Sequence, residues 1–375
     1  MGLIYSSQIC NKTFEPDFGG WNNIRMSMET VLVIAHATGR TLVLPPEKRM
    51  YLLGGSFSFN DFYHLDTVHN EQKGLNIITM EEFLKKEGKT MKAISSGKVE
   101  KLPDKGRTDW NGKNLNHLWE YIRKVGLDRL WKPEECLAAF PSSNSQEDID
   151  ILNDMMTEIL KEKPTPADFS GKPIPVDAPA IDRLRENLAD RDKLCIYDKE
   201  MQDAKLIHFR VDPKQHIRLL IHFYSFLFFE DWKQDLWTKR FVRDHIRYRD
   251  DLFCATGKIV KAVRDRARNR NPDTNSEGLF DSFHIRRGDF QYKKTRIEAS
   301  DIYDITKDTL EEGTTLYIAT DERKKDFFKP LAEKYDVVFL DNFLHLVPEI
   351  KPSMYGMLDA LVASKGRVFW GTWFR

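Results

Sequence analysis

Over the last quarter of the chain, short apolar runs alternate with amphipathic stretches, and this rhythm restricts the fold more than any other feature of the sequence. Residues 279–285, 316–319, 337–340 and 368–370 read as strands. Helices are predicted over 299–311, 322–334 and 353–364, the second with Phe327, Phe328 and Leu331 on one face. Strands that alternate with helices pair in parallel, because each crossover returns the chain to the same end of the sheet. The predicted class is therefore α/β, with a doubly wound parallel sheet.

The beginning of the chain repeats the pattern. An apolar run at 3–5 reads as a first buried strand, although Met1-Gly2-Leu3-Ile4-Tyr5-Ser6 also fits a loose myristoylation pattern. A turn-rich stretch then ends in Phe18-Gly19-Gly20-Trp21-Asn22-Asn23. Ile24, Met28, Val31, Leu32 and Ala35 recur at helical spacing, and Gly39 stands where a helix end favours a left-handed residue. Residues 41–44 read as a buried strand stopped by Pro45-Pro46, completing one βαβ unit.

Between 54 and 180 the rhythm weakens. The Lys-rich stretch 85–114, the polar run 141–148 and the Pro-rich run 163–179 read as surface insertions and linkers. The lysines suit either an acidic acceptor or a solvated loop. A strand is expected at 204–209 and helix over 214–268, with the aromatic-rich 219–229 in the core. Polar residues 266–278 mark the expected boundary between an N-terminal domain, 1–270, and a C-terminal domain, 271–375.

Lys plus Arg and Asp plus Glu both number 58, so no global charge draws the chain to nucleic acid or to an anionic membrane. Any anion it binds must be held by a local cluster. Cys10, Cys136, Cys195 and Cys254 form no Cys-x-x-Cys pair, which removes the common zinc and redox motifs and leaves one or two disulfides open. No run reaches the roughly 18 apolar residues of a membrane span, and no signal pattern opens the chain. Asn11-Lys12-Thr13 is a glycosylation sequon, relevant if the chain enters the secretory pathway.

The residues that carry chemistry cluster at predicted strand ends, where open α/β sheets bind ligands. In His284-Ile285-Arg286-Arg287-Gly288-Asp289 the two-residue period puts His284 and Arg286 on one face and Ile285 and Arg287 on the other. A guanidinium fork suits a diphosphate whose charge grows as it leaves. One arginine then serves the ligand and the other the scaffold, through Asp289 or another acid. Asp321 ends the next strand and suits either a ribose or base contact or the N-cap of the following helix. Asp359, within an apolar helix, requires a partner or an edge position. Gly19, Gly20, Asn22 and Asn23 precede a helix N-terminus, which favours an anion; capping by either asparagine is the alternative. Asp148-Ile149-Asp150, an Asp-x-Asp, opens a predicted helix, where the dipole alone favours acids. No metal site is expected.

Four segments together resemble the GDP-fucose O-fucosyltransferase family and its α1,6-fucosyltransferase relatives. They are Gly19-Gly20-Trp21-Asn22-Asn23-Ile24-Arg25 through Pro46, Phe283 through Phe290, Ile318-Ala319-Thr320-Asp321, and Met357 through Ser364 with Phe369-Trp370-Gly371-Thr372. The resemblance implies a GT-B fold, two Rossmann-like doubly wound domains facing a cleft, the second binding the nucleotide-sugar. It implies GDP-fucose as donor, a protein or glycan acceptor, inversion at the sugar carbon and no metal or other cofactor. Arg286 would hold the β-phosphate and His284 would position the diphosphate and ribose. Asp359 and Asp321 would recognise guanosine, and Asn23 or Asn22 would reach the phosphate and acceptor. Gly371 and Thr372 would line the phosphate site. Family members continue past this point with a Ser-Thr-Phe stretch, whereas this sequence stops at Arg375, so a truncated donor domain is expected, and a binding module without catalysis is the alternative. Family members reside in the lumen of the endoplasmic reticulum or Golgi. The resemblance assigns no general base; Glu29 and Glu47 are the acids noted near the first loop.

Overall fold

The computed structural model of the chain describes residues 10–17, 19–49, 55–71, 75–102, 110, 113–161, 174–215, 217–219, 221–288 and 296–371. The expected strand at 3–5 lies outside them. Two compact units are found, Met1–Arg247 and Tyr248–Arg375.

The first unit is built on a five-stranded parallel sheet. Its strands are β1 (Asn11–Phe14), β2 (Thr41–Leu44), β3 (Ile77–Thr79), β4 (Leu127–Arg129) and, later in the chain, Leu206–Phe209. A second parallel sheet takes β5 (Cys136–Phe140), β6 (Lys193–Ile196) and Leu227–Phe229. With Leu206–Phe209 as β7 and Leu227–Phe229 as β8, the orders are β3-β2-β1-β7-β4 and β6-β5-β8. β1 is central, flanked in parallel by β2 and β7. Asn11 of the sequon is buried in it, which leaves no room there for a glycan.

Helix α1 (Trp21–Ala37) follows β1 and buries Ile24, Met28, Val31, Leu32 and Ala35, the face its spacing specifies. Gly39 closes it with φ +61°, the left-handed conformation an L side chain resists. Helix α2 (Lys113–Val125) packs Leu118, Trp119 and Ile122 onto the sheet core that includes Val43 and Leu206.

The middle of the chain is more ordered than its composition suggests. β5 lies inside the segment read as insertions and linkers, β6 beyond it where no element was expected, and a disulfide joins Cys136 to Cys195 across them. The continuous helix expected over 214–268 is also corrected. The aromatic run turns from a four-residue helix, Phe223–Phe226, into β8, because Phe228 and Phe229 are both fully buried in a sheet rather than on a helix stripe. Helix α3 (Trp232–His245) and helix α4 (Asp250–Arg270) follow.

The second unit has one parallel sheet of β9 (Asp281–Ile285), β10 (Thr315–Thr320), β11 (Asp336–Val338) and β12 (Phe369–Gly371), ordered β11-β10-β9-β12. Its core gathers Phe283, Ile302, Leu316, Ile318 and Leu331. The units part at Arg247 and Tyr248 rather than at 270, because α4 packs on the second unit's sheet and on helix α5 (Tyr355–Ala363). The helix expected over 322–334 is a 3-10 turn, Lys325–Phe328, followed by Lys329–Ala332, since Pro330 can stand only in a helix's first turn.

Candidate active site

In the second unit the chain runs from β9 to β10 on one side and returns to β12 on the other, so the strand order reverses between β9 and β12. At such a reversal the two crossovers leave opposite faces and open a crevice beyond the strand ends. His284 sits at that edge, beside Ala319 of β10 and Gly371 of β12. Thr372, Asp289 and Phe290 lie outside the described residues.

The next two residues diverge. The Arg287 guanidinium stacks 3.6 Å from the centre of the Phe327 ring, donates to the Ile297 carbonyl and pairs with Glu322 at 3.4 Å. Its side chain is 17% exposed, against 43% for Arg286, whose Nε stands 3.7 Å from Asp321 Oδ2. The scaffold partner of Arg287 is thus Glu322, supplied by the turn after β10.

Asp321 is not a helix cap: the following 3-10 turn starts from Lys324. Instead Asp321 Oδ1 accepts the N–H of Arg287 at 2.7 Å and of Gly288 at 3.0 Å. A Cβ on Gly288 would meet Asp321 Oδ2 at 2.9 Å, so the close approach of carboxylate and loop depends on glycine. Two amides and a nearby guanidinium satisfy the carboxylate and fix the loop that carries Arg286.

Asp359 lies on α5, half-buried, and its Oδ1 accepts the Tyr317 hydroxyl at 2.6 Å. Burial pushes the Asp359 carboxyl up to about 7, against the hydrogen bonds from Tyr317 and the Thr320 backbone. Burial first, then the Asp359 charge, pushes the Tyr317 phenol well above its ordinary range. The phenol occupies Oδ1 of this carboxylate.

In the first unit the strand order reverses at β1, between β2 and β7. The glycine loop leaves β1 there. Gly20 caps α1 with its backbone alone, so neither Asn22 nor Asn23 is the side-chain cap. Trp21 is wedged among Phe57, Phe59, Phe62 and Tyr63, with ring centres 4.1–6.5 Å away, which fixes the start of the helix. Asp17, fully buried, accepts the Gly19 N–H at 2.7 Å and a double hydrogen bond from Arg218 at 2.6 and 2.7 Å. A Cβ on Gly19 would fall 2.3 Å from Asn23 Nδ2, so the Asn23 amide folds back over a glycine that has no substitute.

The two loops share a construction that sequence spacing does not reveal. Each pairs a carboxylate with one or two loop amides, an arginine and a glycine in steric contact. Asp17 and Arg218 were not singled out by sequence, being 201 positions apart and in no motif. The Asp-x-Asp acids lie in the first turns of the helix Gln146–Lys161, with Asp150 accepting from the Gln146 amide.

The sequence model of the GDP-fucose protein O-fucosyltransferase family matches residues 13–374. Among solved structures, POFUT1 in complex with GDP-fucose is similar at 14% identity, covering 97% of this chain and 91% of that one, with a TM-score of 0.40. Fucosyltransferase NodZ from Bradyrhizobium is similar at 11% identity, covering 97% and 88%, with a TM-score of 0.42. NodZ α-1,6-fucosyltransferase co-crystallised with GDP gives 11% identity, 98% and 89% coverage, and a TM-score of 0.41. No curated protein sequence matches the chain.

Proposed function

The chain belongs to the GDP-fucose protein O-fucosyltransferase family, and on that premise we propose that this fucosyltransferase moves fucose from GDP-fucose to a protein serine or threonine hydroxyl or to a glycan, with inversion and without a metal ion. We read the two units as the Rossmann-like domains of a GT-B enzyme. The observation that carries the reading is the division of labour at the end of β9. Arg287 is held by Phe327 and Glu322, while Arg286, on a loop pinned by Asp321, keeps a largely exposed guanidinium at the strand reversal.

In this reading Arg286 stabilises the charge that grows on the β-phosphate as the C1–O bond breaks. A fixed guanidinium needs no rearrangement at that moment, which is why such groups contribute so much to catalysis. His284 orients the diphosphate and ribose, and Gly371 lets the chain approach the phosphates closely. Asp359 accepts from the guanine N–H groups through Oδ2. Asp321 acts on the loop rather than on guanosine, because Oδ1 already receives two amides. In the first unit, Asn23 and the amides at the start of α1 are the donors proposed to bind an anion or the acceptor. The lumen of the endoplasmic reticulum or Golgi is the proposed location, and the Cys136–Cys195 disulfide fits an oxidising compartment.

Calorimetry with GDP and GDP-fucose in excess EDTA tests the proposal. Saturable binding of both is expected, and absence of binding to either contradicts donor recognition. Loss of binding or turnover in EDTA alone would instead favour a metal held by Asp148 and Asp150.

A further inference from the structure

The Lys-rich stretch after β3 folds into a small antiparallel hairpin, Thr90–Lys92 against Val99–Lys101. The Ala93 N–H donates to the Lys98 carbonyl and the Gly97 N–H to the Ala93 carbonyl, each at 2.8 Å, which closes the turn with Gly97 at φ +64°. Pairing sets Thr90 opposite Lys101 and Lys92 opposite Val99, with Met91 opposite Glu100 between them. Successive side chains alternate between the two faces of a strand, so Met91 and Glu100 share the inner one. Met91 packs on the core around Leu118, Trp119 and Ile122, and Glu100 stands 3.8 Å from Lys124. The Ile94 N–H donates to the Lys124 carbonyl in the last turn of α2, which leads into the start of β4. The hairpin turn therefore lies at the amino ends of the strands, and the glycine loop leaves their carboxyl ends.

The outer face is cationic throughout. Lys89, Lys92, Lys98 and Lys101 are exposed, and none pairs with an acid among the described residues. Elsewhere on the surface Lys132, Lys199, Lys258, Lys261, Lys307 and Lys334 each hold an acid at 2.6–3.1 Å. Val99, 64% exposed, and Ile94, 51% exposed, stand among the unpaired lysines. No third strand joins the hairpin among the described residues, so it presents backbone N–H and C=O groups along an open edge. A two-stranded sheet is marginal by itself and gains from a third strand. Lysines on the edge repel a second copy of the same edge and attract a strand that carries acids. Lipid headgroups or nucleic-acid phosphates answer the charge alone, whereas a polypeptide answers both the charge and the ladder.

We propose that this hairpin docks an extended, acidic segment of a partner polypeptide, which adds a strand to the open edge and sets its carboxylates against Lys92, Lys98 and Lys101. The surface belongs to the first unit alone, and its action is independent of the transfer chemistry.

Fluorescence anisotropy with a labelled peptide of alternating glutamate and valine, at low salt, tests the proposal on the full chain. Saturable binding is expected, weakened at least tenfold by the double substitution Lys92→Glu and Lys101→Glu. Lys98→Glu, in the turn and outside both strands, should weaken it at least threefold, so a double variant that failed to fold would leave the site testable. A peptide with proline in place of valine keeps the charge but cannot complete the ladder, and should bind at least tenfold more weakly than the valine peptide. Wild-type protein that ignores the valine peptide overturns the proposal, as does folded Lys98→Glu protein that binds it like wild type. Equal binding of the proline peptide would reduce the face to charge alone and overturn the strand pairing. Preference for phosphatidylserine vesicles or for a polynucleotide over the peptide would overturn the choice of partner.

Discussion

Lys12 is fully buried in β1, its Nζ 3.3 Å from the Thr38 hydroxyl and facing the rings of Tyr197 and Phe209. Burial, with the Arg40 charge second, holds its amine well below the ordinary range. Between that lowered value and the ordinary lysine value of 10.5 the unfolded chain binds a proton that the native state does not, so stability should rise with pH across that range. Lys12→Met should add roughly 1–2 kcal/mol at neutral pH and flatten that slope; denaturant titrations at several pH values check both. Asp359 has the opposite sign. Its raised carboxyl takes up a proton on folding, a contribution present at low pH and lost as pH rises through about 7. If Asp359 holds guanine as proposed, its N–H groups need the charged form, so GDP affinity should weaken as pH falls below about 7, by up to tenfold per unit, as calorimetry across that range would show. At this scale the strand period put Arg286 and Arg287 on opposite faces, and the resemblance supplied which of them would meet the ligand. The sequence did not single out Asp17, which lies in no motif and whose partner Arg218 is 201 positions away.

The glycine loop and the disulfide carry the predictions at the level of elements. A Cβ at Gly19 would fall 2.3 Å from Asn23 Nδ2, 2.8 Å from Arg218 Nη2 and 2.9 Å from Asp17 Oδ1, so Gly19→Ala should displace the Asn23 amide and press on the buried Asp17–Arg218 pair. Turnover should fall at least tenfold and the thermal midpoint should drop with it; a variant with wild-type turnover would remove Asn23 from the site. The Cys136–Cys195 bond closes a separation of 59 residues, worth about 4 kcal/mol in the chain-entropy account. Replacing both cysteines by serine should lower stability by roughly 2–4 kcal/mol, read by denaturant titration. Strongly periodic elements such as α1, β2, β9 and β10 were legible because burial on one face leaves a mark on the sequence. β5, β6 and β8 were not, since two are short and lie among polar or Pro-rich stretches, and the third continues an aromatic run that fits helix or strand.

As a whole molecule, the chain is two α/β units whose parallel sheets each reverse order beside a glycine-containing loop. The class was readable from alternation alone. The boundary was not, because α4 is amphipathic and nothing in its own sequence says which sheet it covers; its packing on α5 and β10 assigns it to the second unit. The account as a whole rests on Arg286 meeting the departing diphosphate. The most direct measurement is the rate of GDP release from GDP-fucose by Arg286→Ala and Arg287→Ala beside wild type, with thermal melts of all three. Arg286→Ala should lose at least two orders of magnitude in rate with a wild-type melt. Arg287→Ala should lose roughly 1–2 kcal/mol of stability and keep most of its rate. The reverse pattern, a slow Arg287 variant beside an active but unstable Arg286 variant, would contradict the account.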